Sequence, residues 1–530
     1  MLRLRSRPEE RRPPTPEGSR SPSRRVLAAV FLGVAAWALL GAGVRATYGG
    51  RVTADEPQYL LSAISLAEDL DLDIADELAA ERWRDFHRAE LPRQTEPRPD
   101  GTELSPHDPL LPALLAPGVA VAGAVAGGWQ HAELAGARAV LALVAGTLAS
   151  LLVWTAVVRL GVRTRTAVVS VVAFALSAPL SAYGSQLYPE LVAALAVAVG
   201  VAALLGCRPP EPFWHHLRRS ATGDRGARTR GEGSASGDGG AGRGRARTAA
   251  WVLAVVALPW LGVKYAGVAG ALALLGLALD RRHRWPALGL LGAAGVAYLV
   301  VHQRTYGGWT VYAAGDHFVG GELTVVGDDP DHAGRTVRLL GLLVDRHFGL
   351  LVWAPAFVLA IPAVATVARR RDAVAAVLLV PLAAGWATAT WVALTMHGWW
   401  WPGRQVVVVV PLLVLAVAWA VDGWARAGDR RALPALVVTG AIGAGTWAWI
   451  ATEATVGHLR LIVDFDRTRN PWITAARSVL PDLRDRGGTT EVVLMAWGIV
   501  VGALLVHGWR RGTAIRDLPG DPERLPRCPP

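Results

Sequence analysis

The chain has 530 residues, 52% of them hydrophobic, a mean hydropathy of +0.32, and apolar runs of about 16–24 residues along most of its length. Runs of this length cross a hydrocarbon core of roughly 30 Å as helices, which excludes an ordinary soluble globular protein with its shorter, patterned apolar stretches. The net charge of +11 comes from arginines clustered between the runs, which is typical of a membrane protein and argues against nucleic-acid binding.

The first 25 residues contain eight arginines and five prolines, which predicts a disordered basic tail in the cytoplasm. Val-Arg-Ala at 44–46 would be a tolerable signal-peptidase site at the end of the apolar segment 26–45. That segment, with about 19 apolar residues, is longer than a usual signal-peptide core and favours an uncleaved anchor. The two cysteines, Cys207 and Cys528, lie in segments predicted to be cytoplasmic and imply no disulfide framework.

Thirteen apolar segments are candidates for membrane helices. They are 26–45, 109–127, 138–158, 166–183, 188–206, 249–263, 266–279, 286–302, 349–368, 373–396, 405–423, 433–453 and 490–508. Arginine-rich stretches separate several of them, and the positive-inside rule places these stretches in the cytoplasm. The stretches are 159–165, 208–247, 281–284, 368–371 and 425–431.

Successive loops of a multi-pass protein lie on alternate sides of the membrane, and this constrains whether segment 109–127 crosses it. If it crossed the membrane, the basic stretch 159–165 would lie outside and the later pattern would be inverted. Because Pro109, Pro112 and Pro117 are expected to break a helix here, we expect the segment to lie in the outer interface or to dip in and return. About twelve crossings (roughly 11–13) then remain, with both termini in the cytoplasm.

The sequence thus predicts an all-α polytopic membrane protein. Its parts are a basic tail 1–25, a membrane part 26–206, a disordered Arg/Gly-rich cytoplasmic loop 207–248, a membrane part 249–510 and a cytoplasmic tail 511–530. Its larger outward loops are 47–137, 303–348 and 454–489. The run 249–279 is too long for one span, so a tight hairpin of two short helices is expected, turning near 263–267.

Ionisable residues at the outer ends of the spans are candidates for chemistry, because charges in or beside a bilayer are costly to keep. Asp55 and Glu56 follow the first span. They are either acids that cap the first turn of a helix or functional carboxylates. His107 and Asp108 precede segment 109–127 and are either a polar cap on it or a weak metal or acid–base signal.

Tyr188 and Glu190 lie at the outer start of a span, separated by a proline. Proline followed by an acid is a good helix start, and the functional alternative is an outer cavity that Glu190 shares with Asp55. Lys264 is the only lysine in the chain and lies at the predicted outer turn of the hairpin. It is either a compact charge that binds phosphate or a lysine that snorkels to the interface.

Two later segments bring further charges to the outer face. Asp345 and Arg346 precede a span, and His397 and Arg404 flank three tryptophans in a short turn. Aromatic belts account for the tryptophans, whereas an arginine at the outer end of a span is unexpected and suggests anion binding. The outer face therefore combines carboxylates that can act as a general base with cations that can stabilise a phosphate leaving group.

The order of these motifs resembles the GT-C superfamily of polytopic glycosyltransferases, in particular bacterial members related to protein O-mannosyltransferases and the lipid A aminoarabinose transferase (family 39-like). The resemblance covers roughly residues 26–420. It is carried by ADEPQYLLSAISL (54–66), HDPLLPALLAP (107–117), ARAVLALVAGTLASLLVW (137–154), YGSQLYPE (183–190), the lysine-bearing hairpin, DRHFGLLVWAPAFVLA (345–360) and GWWWPGR (398–404).

The resemblance implies a polyprenyl-phosphate-linked sugar donor and a glycan, lipid or protein acceptor at the outer face of the cytoplasmic membrane. The essential first-loop acid of the superfamily matches Asp55, its second acid matches Glu190, and its cation near the donor phosphate matches Lys264. A lone Glu at the second position departs from the family's Asp or D-x-D-like group. If a divalent cation such as Mg²⁺ or Mn²⁺ takes part, Asp55 and Glu190 are its expected ligands.

We therefore expect an inverting hexosyl- or pentosyltransferase in which Asp55 deprotonates the acceptor hydroxyl. The expected catalytic acids are Asp55, Glu190 and Glu56, and the expected phosphate-binding cations are Lys264, Arg404 and Arg346. Supporting roles are expected for His107, Asp108, Tyr188, Asp345 and His397. One alternative is a transporter or lipid flippase, which would carry charges near the bilayer midplane and internal repeats. Another is a non-catalytic assembly or sensor protein, whose outer loops would share no cavity.

Overall fold

The computed structural model describes residues 21–88, 90–92, 94–95, 97–125, 129–207, 239–314, 329–485 and 487–516. Most of the predicted basic tail, of the cytoplasmic loop 207–248 and of the tail 511–530 lies outside the described residues, as does the stretch 315–328 of the outward loop 303–348.

The described residues form an all-α protein, as the apolar runs predict. The helices are α1 (Arg24–Ala38), α2 (Glu56–Glu68), α3 (Ala75–Ala79), α4 (Leu110–Val125), α5 (Ala132–Trp154), α6 (Thr164–Ala175), α7 (Leu180–Tyr183), α8 (Glu190–Leu204), α9 (Gly239–Leu261), α10 (Ala266–Leu279), α11 (Arg284–Thr305), α12 (His332–Arg335), α13 (Arg338–Val344), α14 (Leu350–Trp353), α15 (Phe357–Ala368), α16 (Ala373–Ala387), α17 (Val410–Arg426), α18 (Ala432–Val456), α19 (Pro471–Val479) and α20 (Gly488–Arg516). The extended contacts in this part of the chain are isolated β-bridges, such as Asp73–Leu104 in the first loop.

Seven of the described helical segments are long and apolar enough to cross a membrane. They are Arg24–Gly41, Ala132–Arg159, Arg284–Thr305, Ala373–Val392, Arg404–Arg426, Ala432–Val456 and Gly488–Thr513. Shorter apolar helices accompany them, at Leu110–Val125, Thr164–Ala175, Glu190–Leu204, Val263–Leu279 and Phe357–Ala368. The chain is therefore a multi-pass membrane protein.

The segment Arg404–Arg426 is the centre of the helix bundle. Its most apolar stretch is 100% buried by the rest of the protein, whereas those of Arg284–Thr305 and Gly488–Thr513 are 17% and 6% buried. An apolar helix that the protein leaves uncovered faces lipid, so these two helices are peripheral. Arg404 thus begins the most enclosed helical segment of the seven.

The lysine-bearing hairpin turns where the sequence predicts, but its first helix is not short: it has 23 residues. Helix α9 ends at Leu261, a short 3₁₀ turn spans Val263–Tyr265, and α10 begins at Ala266 and packs back along α9. The turn carries Lys264. Helix α9 starts at Gly239, ten residues earlier than the predicted start at 249.

Helix α4 differs from the expectation for segment 109–127. Its prolines do not break it, because the helix runs without interruption from Leu110 to Val125. Pro112 lies in the first turn, where a backbone N–H has no partner inside the helix, and Pro117 removes a single hydrogen bond from the ladder.

Helices α4 and α5 pack against each other at two glycines. A Cβ atom on Gly136 would lie 2.2 Å from the carbonyl oxygen of Gly118, far inside van der Waals contact. Small residues at such a crossing let two apolar helices approach until their backbones touch. This packing holds the C-terminal half of α4 against the start of α5.

Substitution of these glycines gives a first prediction about stability. Gly136→Ala is expected to destabilise the protein by about 1–3 kcal/mol, because the added methyl group forces the two backbones apart. Gly123→Ala, in α4 but with no atom within 4 Å of the added Cβ, is expected to be neutral or to stabilise by up to about 1 kcal/mol. Thermal unfolding of the two purified variants in detergent tests this; equal shifts would contradict the close approach.

Candidate functional site

One guanidinium group joins two carboxylates that are far apart in sequence. Arg404 donates through Nη2 to Asp55 Oδ2 at 2.9 Å and through Nε to Glu190 Oε1 at 2.8 Å. Lys264 Nζ donates to the same Glu190 oxygen at 2.6 Å. We call these four residues the site network. It unites the first loop, the start of α8, the α9–α10 turn and the start of the central helical segment.

Asp55 does not cap the helix that it precedes. It occupies the N-cap position of α2, yet its side chain makes no capping hydrogen bond and instead pairs with Arg404. Glu56, the first residue of α2, accepts a hydrogen bond through Oε2 from the backbone N–H of Thr53 at 3.1 Å and so fixes the turn before the helix. The two adjacent acids therefore have different partners, and neither side chain caps the helix.

Glu56 also connects the first loop to α8. Its Oε1 accepts a hydrogen bond at 2.9 Å from the backbone N–H of Leu187, three residues before Glu190. The carboxylate is fully buried. Both of its oxygens thus hold backbone groups, which fixes the two segments that carry the acids of the site network. Glu56 thus lies beside the site network and joins these two segments.

The four side chains differ in how far solvent or a ligand can reach them. Glu190 and Arg404 are 1% and 9% exposed, whereas Asp55 and Lys264 are 25% and 30% exposed. The network therefore presents one reachable carboxylate and one reachable ammonium group, held in place by a buried acid and a buried guanidinium between them.

Asp55 is ionised at neutral pH. Burial alone would raise its pKa, but the guanidinium of Arg404 and the charges of His107 and Lys264 hold the pKa of Asp55 below its ordinary value. A carboxylate in this state accepts a hydrogen bond from a hydroxyl group without first having to lose a proton.

Aromatic rings enclose the network. The guanidinium carbon of Arg404 lies 4.1 Å from the centroid of the Tyr188 ring and 5.0 Å from that of Trp400. Tyr188 OH, Tyr265 OH and Glu190 Oε2 are buried and have no hydrogen-bond partner in the described part of the chain. Buried polar atoms are normally paired, so each of these three atoms still has hydrogen-bonding capacity that the described residues do not use.

His107 and Asp108 flank the site network. His107 stacks on Tyr59 with ring centroids 4.6 Å apart, and its Nε2 lies 3.0 Å from Gln94 Oε1. Asp108 is buried and its Oδ1 lies 3.3 Å from His302 Nε2, on α11. Both residues hold the segment before α4 next to the network.

Three other predicted residues lie in a second cluster. Asp345 is fully buried, and its Oδ1 lies 3.7 Å from His397 Nε2. Arg346 pairs with Asp482 and also donates its backbone N–H to the carbonyl of Pro481. No ion pair recorded among the described residues joins this cluster to the site network.

The second cluster joins the chain before α14 to the segments on both sides of α19. Asp345 accepts hydrogen bonds from the backbone N–H groups of His347, Phe348 and Leu483. His347 Nδ1 lies 2.8 Å from Asp466 Oδ1, which also accepts from Arg477. Because these contacts satisfy the carboxylates with groups of the chain itself, the cluster stabilises loop structure.

Asp345→Asn is expected to lower the free energy of unfolding by at least about 2 kcal/mol at neutral pH, because an amide cannot accept all three backbone N–H groups. Burial raises the pKa of Asp345, but His397 and the N–H groups of Phe348 and Leu483 hold it below its ordinary value. A depressed carboxyl pKa stabilises the fold above the unfolded pKa of about 3.9, and this contribution is lost as the pH falls through the folded value.

The difference in stability between wild type and Asp345→Asn should therefore be constant from about pH 5 to 7 and shrink below about pH 4. Thermal unfolding in detergent across that range measures it. The exposed Asp485, in the same loop, provides the control Asp485→Asn, which should change little at any pH. A deficit that stays constant down to pH 3 would contradict the role of the Asp345 charge.

Several residues of the site were missed by the sequence interpretation. Arg138 is fully buried in the apolar helix α5 and donates to the backbone carbonyls of Ala42, Arg51 and Ser185, which surround the network. An arginine inside an apolar run was a usable signal. Tyr59, His302, Asp466 and Asp482 gave no comparable signal, because their partners lie far away in the sequence.

Asp55 and Glu190 do not fit a divalent metal ion in this arrangement. The guanidinium of Arg404 occupies the position between them, and Lys264 contacts the same Glu190 oxygen that Arg404 does. Two acids and two cations balance each other, so the pair lacks the excess negative charge of an oxygen-ligand metal site.

No family model and no curated protein sequence matches the chain. Among solved structures, it is similar to ArnT from Cupriavidus metallidurans bound to undecaprenyl phosphate (13% identity, TM-score 0.43, 92% of this chain and 78% of that one). It is also similar to apo ArnT from the same organism (16%, 0.43, 92% and 77%) and to the apo Archaeoglobus fulgidus oligosaccharyltransferase (13%, 0.40, 88% and 59%).

Proposed function

We propose that the chain is a membrane glycosyltransferase that moves a sugar from a polyprenyl-phosphate-linked donor to a hydroxyl group of an acceptor. The observation that carries the proposal is the site network, in which an accessible carboxylate and an accessible ammonium group are held together by Glu190 and Arg404. Sugar transfer from a phosphate needs both kinds of group, a base for the acceptor and positive charge for the leaving group.

In the proposed reaction Asp55 accepts the proton of the acceptor hydroxyl. The hydroxyl oxygen attacks the anomeric carbon of the sugar while the bond from that carbon to the phosphate oxygen breaks, and polyprenyl phosphate leaves with the electron pair. Lys264 and Arg404 stabilise the negative charge on the departing phosphate. A single displacement of this kind inverts the configuration at the anomeric carbon.

Arg404 couples the two halves of the reaction. In the structure its guanidinium donates a hydrogen bond to Asp55. A phosphate that binds this guanidinium would compete with Asp55 for the same N–H group. When Asp55 loses the hydrogen bond from Arg404, its pKa rises and the carboxylate becomes a stronger base. Donor binding would thus activate the base at the moment when the acceptor is needed.

The position of the network suits an amphipathic donor. It lies where the apolar segments Glu190–Leu204, Val263–Leu279 and Arg404–Arg426 begin, so a polyprenyl chain can remain in lipid while its phosphate reaches Lys264. The hydroxyl groups of Tyr188 and Tyr265 are buried and have no hydrogen-bond partner among the described residues. We propose that this end of the bundle faces outward from the cytoplasmic membrane, where the acceptor is a cell-envelope glycan, lipid or protein.

In this proposal the phosphate-binding residues are Lys264 and Arg404, and Arg346 lies outside the site because Asp482 holds it in the second cluster. Binding of a polyprenyl phosphate without sugar to the purified protein in detergent tests the assignment. Lys264→Met is expected to weaken binding about 10-fold or more, since one charge-assisted contact to phosphate is lost.

Arg346→Met and Arg467→Met are the matched controls for this binding measurement. Arg467 is 73% exposed, and both residues keep their charge away from the site network. Each control should bind polyprenyl phosphate like the wild type. Equal weakening in all three variants would show a general dependence on positive charge and would contradict a phosphate site at Lys264.

A further inference from the structure

Three carboxylates of the first loop converge beyond the end of α2. Asp69 follows the last turn of that helix, and Asp76 and Glu77 lie in the short helix α3. One carboxylate oxygen from each lies within 4.8 Å of those of the other two. In the described part of the chain no lysine, arginine or histidine side chain pairs with any of the three.

Three neighbouring acids of the same loop are satisfied. Glu68 pairs with Arg82, Asp71 accepts from the hydroxyl of Ser65, and Asp73 accepts from the backbone N–H groups of Ala75 and Glu103. The convergent trio is therefore distinct from an ordinary solvated acidic stretch, in which charges spread apart or find donors.

Glu77 supplies a second, independent observation. Its side chain is 2% exposed, and in the described part of the chain no donor group reaches either of its carboxylate oxygens. Burial and a hydrogen bond shared with the carboxyl group of Asp76 raise the pKa of Glu77 to about 8. A buried carboxylate without a donor is costly, and two further carboxylates beside it increase that cost. A bound cation removes both costs at once.

We propose that Asp69, Asp76 and Glu77 form a calcium site that fastens the end of α2 to α3. The donor set is carboxylate oxygen only, which suits a hard cation and excludes the sulfur- and nitrogen-preferring metals. Ca²⁺ binds oxygens at about 2.3–2.6 Å, so two ligands of one ion are up to about 5 Å apart, as the trio requires. Two exposed carboxylates leave the remaining positions to water, which the flexible coordination of Ca²⁺ accepts.

The site is structural and does not depend on the proposed transferase activity. Asp69 and Asp55 flank opposite ends of α2, so a cation at the Asp69 end restrains the helix whose other end carries Asp55. Three carboxylates completed by water predict an affinity of about 10⁻⁴–10⁻³ M, as in extracellular calcium modules.

Thermal unfolding of the full chain in detergent tests the proposal with EDTA, with ~5 mM CaCl₂ and with ~5 mM MgCl₂. We expect Ca²⁺ to raise the midpoint of the wild type by ~2 °C or more relative to EDTA, by mass action, and Mg²⁺ to raise it less. Titration calorimetry with CaCl₂ should show one site per chain. No calcium-dependent rise, or an equal rise with Mg²⁺, would overturn the assignment.

Variants separate ligation from a merely structural role of the acids. Glu77→Gln should abolish the calcium-dependent rise, yet in EDTA it should unfold at the wild-type temperature or higher because the repulsion is relieved. Asp100→Asn, an exposed acid of the same loop that contacts Thr102, should keep the full rise. A Glu77→Gln variant that still responds to Ca²⁺, or that is destabilised in EDTA, would contradict a calcium ligand at this position.

Discussion

Asp55→Asn is expected to lower the rate of sugar transfer by about 10³-fold while the protein still binds its donor. The asparagine side chain matches the carboxylate in shape but cannot take a proton, and general-base catalysis typically contributes about 10²–10⁴-fold. Arg404 keeps its contact with Glu190, so the network loses one charge and not its framework. The measurement is transfer from a radiolabelled polyprenyl-phosphate sugar in membranes that contain the variant.

The control for Asp55→Asn is Asp100→Asn, which makes the same chemical change in the same loop away from the site network. It should transfer sugar at the wild-type rate. Donor binding by Asp55→Asn, measured with polyprenyl phosphate, should be at least as tight as in the wild type, because Arg404 is released from a competing carboxylate. Full transfer by Asp55→Asn would remove the base from the mechanism.

Arg404→Lys is expected to lower kcat/KM for the donor by about 10²-fold, although the charge is conserved. The guanidinium donates to Glu190 and Asp55 from two different nitrogens and lies over the ring of Tyr188, a geometry that a single ammonium group cannot reproduce. Steady-state kinetics with varied donor should show a higher KM together with a lower kcat.

Arg426→Lys is the matched control for Arg404→Lys. Arg426 ends the same helical segment and also pairs with a buried acid, Asp422, but at the opposite end of the bundle. It should change transfer by less than about threefold, since a partly exposed ion pair contributes little. Similar losses in both variants would indicate a general packing defect and would contradict a special role of Arg404.

The architecture was predictable because a long apolar run in lipid forms an α-helix, which satisfies its own backbone hydrogen bonds. The runs became helices, and the run 249–279 became the expected hairpin because it is too long for one span. Helix α4 was mispredicted in one respect, since proline was given more weight than it has. Near a helix start proline is tolerated, and one missing hydrogen bond did not end the helix at Pro117.

Site residues were predictable where the residue type was unusual for its position in the sequence. A single lysine among arginines and an arginine at the end of a span were both conspicuous, and Lys264 and Arg404 do meet at Glu190. The adjacent acids Asp55 and Glu56 have different partners in the structure.

Long-range pairing was not predictable from local pattern. Arg346 was grouped with the phosphate-binding cations because it lies beside a span, but it is held by Asp482, 136 residues later. Nothing near either residue in the sequence indicates the other. In the sequence, Asp69, Asp76 and Glu77 likewise resemble an ordinary acidic stretch. Only the turn between α2 and α3 brings their carboxylates together.

The most direct test of the proposed function follows a radiolabelled sugar supplied on polyprenyl phosphate to proteoliposomes that contain the purified protein and a cell-envelope extract as the source of acceptor. The proposal predicts that the label moves to an envelope acceptor, that free polyprenyl phosphate is released in equal amount, and that Asp55→Asn prevents both. Label that crosses the bilayer while still attached to its lipid, with no transfer product, would contradict a transferase and show a flippase.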